Sequence, residues 1–93
     1  MKNNTVVSVF GFDPYRIGAG EIFARELSEQ LAARGWNSVL CFLKPPSEPV
    51  RRFLDLPNVS IEVIEHSWQL SAHATVRLFA VLRKYRPRIL HLY

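Results

Sequence analysis

Short apolar runs separated by longer amphipathic ones restrict the fold of this chain more than any other feature. The runs "TVVSVF" (Thr5 to Phe10), "NSVLCFL" (Asn37 to Leu43), "VSIEVIE" (Val59 to Glu65) and "RILHLY" (Arg88 to Tyr93) are rich in β-branched and aliphatic residues, the pattern of strands buried in a sheet. The third alternates Val59, Ile61 and Val63 against Ser60, Glu62 and Ile64, which puts it near an edge with one wetter face. Between the first two runs, Ile22, Phe23, Leu27 and Leu31 recur at helical spacing from Glu21 to Arg34, and Gly35 supplies the stop. Leu70, Ala74, Leu78, Val81, Leu82 and Tyr85 fall on a second helical stripe, closed by Pro87. "KPPSEP" cannot continue a sheet and must be loop, while "VRRFLDL" allows one or two helical turns.

Strands alternating with helices pair in parallel through right-handed crossovers. The expected fold is therefore an open, doubly wound, Rossmann-like α/β sheet of strand order 3-2-1-4, with Thr5–Phe10 between Asn37–Leu43 and Arg88–Tyr93. Ninety-three residues suffice for one core. No helix follows the fourth strand to cover it, so the chain reads as the first part of a larger doubly wound domain.

Composition is that of an ordinary globular chain, 48% hydrophobic and 22% charged. No apolar run approaches the roughly 18 residues that span a bilayer. The amino end meets Asp13 and Arg16 without a small-residue cleavage site, so it reads as a strand rather than a secretory signal. Cys41, the lone cysteine, sits within a strand and reads as a structural thiol, which fits a reducing, cytoplasmic setting.

The net charge of +4 is unevenly spread. Seven basic and eight acidic side chains precede residue 66, whereas Arg77, Arg83, Lys84, Arg86 and Arg88 follow it with no acid. Cations suit the negative end of the last helix, and they also suit an anionic substrate or the lipid head groups of an inner membrane surface. Nucleic acid is not expected, because no binding motif or interleaved aromatics accompany the charge.

Chemistry concentrates in "GFDPYRIGAGEIF". Gly18 and Gly20 stand where the first long helix begins, and backbone N–H groups at a helix start attract phosphate. The same glycines can equally serve a turn that needs unusual backbone angles. A dinucleotide fingerprint fails, since Phe23 takes the third glycine position and the loop after the first strand is too long. No P-loop pattern exists.

"RIGAGEIFARELSEQLAARGWNSVLCFL" resembles the start of a glycosyltransferase family 4 N-terminal domain, one half of a two-domain GT-B enzyme. The family has Gly-Gly-x-Glu opening a helix. Gly18 and Glu21 match the outer positions, Ala19 replaces the second glycine and Gly20 fills the variable one; Leu31-Ala32 and Gly35 match, with Trp36 where histidine is common. "YRPRILHLY" is similar to the family's Pro-Asp-aliphatic-aliphatic-His-x-His strand: Pro87, Ile89, Leu90 and His91 match, while Arg88 replaces the aspartate and Tyr93 the second histidine. The resemblance spans nearly the whole chain.

It implies a nucleotide diphosphate-sugar as donor, with no separate cofactor, and a glycan or glycolipid hydroxyl as acceptor. Gly18, Ala19, Gly20 and Glu21 would lie by the donor diphosphate. Asp13, Tyr15, Arg16, His91 and Tyr93 would face the acceptor, although the loop is equally a solvated turn around Asp13-Pro14. Gly20→Val would then cost donor affinity more than stability, by blocking phosphate approach and disfavouring positive φ. The family's second histidine is absent, so no catalytic residue is carried over. His91 inside a strand reads as a core residue. His66 and His73 are seven apart, not the three or four that bring two ligands together on a helix, so no metal is expected. The alternative to a transferase fragment is a non-catalytic Rossmann-like module that binds a nucleotide or a partner. Either way, the unfinished fourth strand is expected to leave an edge open to self-association.

Overall fold

The computed structural model describes residues 4–64 and 72–93. Glu65, His66 and Leu70 lie outside the described residues, as do the side chains of His73 and Ala74. The elements are β1 (Thr5–Phe10), α1 (Ala19–Ala33), β2 (Asn37–Phe42), α2 (Glu48–Phe53), β3 (Val59–Val63), α3 (Ala72–Tyr85) and β4 (Ile89–Leu92). The four strands form one all-parallel sheet in the order β3-β2-β1-β4, a Rossmann-like α/β arrangement. β1 is its centre, with Val6 opposite Ser38 on one side and Ile89 on the other.

Side chains alternate between two cores. Phe10, Leu40 and Phe42 meet Ala24 of α1 and Val50 and Leu54 of the α2 region on one face. Val7, Val39, Cys41 and Ile64 meet Val81 of α3 on the other, with Leu78, Leu82 and Tyr85 packed around them. Direction reverses between β1 and β4, so α1 and α3 lie on opposite faces.

α1 does not bury the stripe its hydrophobic spacing indicates. Ile22 and Phe23 are 43% and 37% exposed, whereas Glu21, Ala24 and Ser28 are the buried positions. Small side chains let the helix approach the sheet closely. There the Ser28 hydroxyl bridges the Ala24 carbonyl (2.8 Å) and the Ser38 hydroxyl (2.9 Å), so the buried polar groups are satisfied locally. The helix ends at Gly35, whose φ of +75° only glycine adopts without strain. The Asn58 amide donates to the Ser28 and Trp36 carbonyls (both 3.0 Å) and ties this end to the start of β3.

α3 is anchored on the β3 edge. The Tyr85 hydroxyl and the Lys84 ammonium (3.2 Å) both donate to Glu62 Oε2, and Arg77 donates to the Val63 carbonyl (3.2 Å). Burial raises the Glu62 pKa, but these partners outweigh it and hold the carboxyl below its ordinary range. Among the described residues no helix is long and apolar enough to cross a membrane.

Candidate functional site

The loop from Gly11 to Gly18 leaves the central strand and folds over the carboxyl ends of β1 and β4. Buried Pro14 pins it, and the Ser47 hydroxyl donates to the Tyr15 carbonyl (2.6 Å). Its Asp13 carboxylate reaches the Lys44 ammonium at 3.8 Å, an exposed pair of little energetic weight. Between this loop, the start of α1 and the end of β4 opens a cleft of about 400 Å³ lined by Phe12, Asp13, Tyr15, Arg16, Gly18, Gly20, Glu21 and Tyr93. It sits beside β1 and β4, where the strand order reverses. That is the crevice in which open α/β sheets hold ligands.

Seven of the nine residues singled out from the sequence line this cleft. Ala19 is the first residue of α1 and is exposed beside it. His91 stands behind it on β4, in register with Ser8, with its ring 5.9 Å from that of Phe23. The His91 Nδ1 and Ser8 Oγ atoms are buried without a protein partner.

The helix start is built differently from an open phosphate cradle. Gly18 is extended (φ −131°), and its N–H donates to Glu21 Oε1 at 3.0 Å, so a buried carboxylate already caps the first turn. Neither Gly18 nor Gly20 has positive φ; among the described residues only Gly35 and Arg86 do. Gly20 is small for another reason: a Cβ there would lie 2.6 Å from Phe12 Cε2. The Phe12 ring, which no sequence motif singled out, covers the glycine.

Phe12 also belongs to an aromatic wall. Tyr93 stacks on Phe23 (5.1 Å between centroids) and meets Phe10 at 5.3 Å and Phe12 at 5.8 Å. Tyr93 keeps 54% of its surface exposed, which leaves ring area for a planar or sugar-like ligand. Arg16 is the one cation among the lining residues, against the carboxylates of Asp13 and Glu21. Such a cleft can orient a ring and offer a few first-turn N–H groups, but it cannot by itself neutralise a diphosphate.

Among the described residues no three His, Cys, Asp or Glu side chains cluster as metal ligands. Cys41 is fully buried, and burial, then the Glu62 charge, push its thiol up to about 12. Comparison with protein-family models, curated proteins and solved structures gave no match.

Proposed function

We propose that this chain is the acceptor-side, N-terminal part of a GT-B glycosyltransferase. Such an enzyme moves a sugar from a nucleotide diphosphate donor to an acceptor hydroxyl. The observation that carries the reading is the meeting of two remote stretches, Gly18–Glu21 and the end of β4 at Tyr93, across one cleft at the switch point of the sheet. These are the two stretches that resemble the glycosyltransferase family 4 pattern.

The charge inventory of the cleft fits a half-site. With two carboxylates and one guanidinium among its lining residues, most of the diphosphate charge must be met by groups beyond this lining. The chain alone therefore transfers no sugar. Its own contribution is the ring platform at Tyr93 and the first-turn N–H groups of α1. The Glu21 cap gives the second reading, a module without catalysis, its specific support, because a carboxylate at the helix start disfavours a phosphate there.

Nucleoside diphosphate titration followed by amide NMR separates the transferase reading from a module that binds only a partner. In the transferase reading, uridine or guanosine diphosphate binds weakly and shifts the amides of Ala19, Gly20, Glu21 and Tyr93. Glu21→Gln keeps an oxygen to accept the Gly18 N–H while removing the charge, and should tighten diphosphate binding about two- to fivefold. Shifts confined elsewhere, or no response from either protein, would remove the phosphate role and leave the module.

A further inference from the structure

On the sheet face opposite α1, α3 presents large apolar side chains to solvent. Val76 and Phe79 are 65% and 61% exposed. With Ala80 and Arg83 they fall at i, i+3, i+4 and i+7, a single stripe away from the Leu78, Val81, Leu82 and Tyr85 stripe that packs on the sheet. A helix with one apolar stripe already buried gains no fold stability from a second, so the outward one calls for a partner.

Charge identifies that partner. Arg83 lies on the outward stripe, and Arg86 and Arg88 are exposed just beyond the end of the helix. Arg77 and Lys84 occupy the flank toward β3, where among the described residues Glu62 is the carboxylate that faces the helix and is already bound by Lys84 and Tyr85. From residue 66 to residue 93 the sequence contains no acid. Exposed apolar side chains bordered by arginines, with no carboxylate among them in the described residues, are the pattern of a helix that lies in a membrane interface. A lipid surface supplies acyl-chain boundary and phosphate together, whereas a protein partner would need an apolar groove with an acidic rim.

We propose that the outward stripe of α3 docks the chain on an anionic bilayer. Phe79 and Val76 enter the head-group region, and Arg83 and Arg88 lie against lipid phosphates. α3 lies flat on the surface, and the cleft, framed by α1 on the other sheet face, stays open to solvent. The proposal stands independently of the glycosyl-transfer reading.

Vesicle co-sedimentation of the full 93-residue chain tests it, comparing phosphatidylcholine vesicles with vesicles containing phosphatidylglycerol. Binding should appear only with the anionic lipid and weaken as salt rises. Each cation near such a surface is worth about a fivefold change in partitioning, so Arg83→Ser with Arg88→Ser should weaken binding roughly 25-fold. Arg51→Ser with Arg52→Ser removes the same charge from α2 and should leave binding within about twofold. Phe79→Ser should weaken binding to the phosphatidylglycerol vesicles, with folding checked by circular dichroism. Equal losses in the two arginine pairs would reduce the effect to net charge and overturn the proposal, as would absence of binding. Retention on polyglutamate without vesicle binding would overturn it in favour of an acidic protein.

Discussion

Replacing Gly20 by alanine tests what that glycine is for. A Cβ at this position lies 2.6 and 2.7 Å from Phe12 Cε2 and Cζ, about 1 Å inside ordinary carbon contact. The ring cannot simply swing away, because Phe10 holds it at 5.4 Å, Phe42 at 6.1 Å and Tyr93 at 5.8 Å. Overpacking of this kind costs about 1–3 kcal/mol, offset by up to ~1 kcal/mol of helix propensity. A net loss of about 1 kcal/mol follows, or a fall of roughly 4–8 °C in Tm for a domain of this size. With Phe12→Leu in place the clash is gone, and Gly20→Ala should become neutral or slightly stabilising. Urea unfolding of the four proteins gives the coupling, which should be on the order of 1–2 kcal/mol. Equal effects of Gly20→Ala in both backgrounds would refute the steric argument. Nucleotide affinity on the same set separates the roles further: loss of affinity in the double variant would restore Gly20 to a phosphate-contacting part.

Three other outcomes are expected. Cys41, buried and with its pKa pushed up to about 12, should resist iodoacetamide in the folded protein at pH 8 and react only in denaturant; prompt labelling would contradict its placement. Glu62, held below its ordinary pKa, contributes stability at neutral pH that is lost as pH falls through its lowered folded value, below the usual 4.5; Glu62→Gln should flatten that acid limb in urea titrations between pH 3 and 7. Among the described residues no strand pairs with the outer side of β4, where Leu92 is 70% exposed, so light scattering should detect self-association that Leu92→Lys suppresses; a strictly monomeric parent chain would remove the edge argument.

The strands were legible because both faces of a central parallel strand demand apolar residues, and β1 spans the run from Thr5 to Phe10 as read. β2 ends one residue sooner than its apolar run, at Phe42, where the chain turns toward Lys44 and the prolines. Helix contact was harder to read. Hydrophobic spacing marks Ile22 and Phe23, but close approach to a sheet selects small residues, and Ala24 and Ser28 carry no hydrophobic signal that distinguishes them from a solvated face. α1 also begins at Ala19, two residues before the expected start, because the Glu21 side chain reaches back to cap Gly18. The cleft residues from Asp13 to Glu21 were visible as a local motif, and Tyr93 joined them through its resemblance to the family strand. Phe12 over Gly20 was not visible. That contact joins a loop ring to a helix start through three-dimensional packing, and no periodicity encodes it.

The central place of β1 has a consequence for the order in which the chain acquires structure during synthesis. Its partner on one side, β2, is made shortly afterwards, but Val6 meets Ile89 only after α2, β3 and α3 have also been made. At about 5–20 residues per second, the interval between completing β2 and completing β4 is roughly 3–10 s. Throughout that time the apolar hydrogen-bonding edge of β1 at Val6 to Val9 has no partner strand from its own chain. Closing so long a loop adds little equilibrium cost, because the penalty grows only logarithmically, but it slows folding. The nascent β1–α1–β2 unit is therefore the form most exposed to strand exchange with a neighbouring nascent chain. A chaperone that binds extended apolar segments would find its target there, before β4 covers that edge of β1.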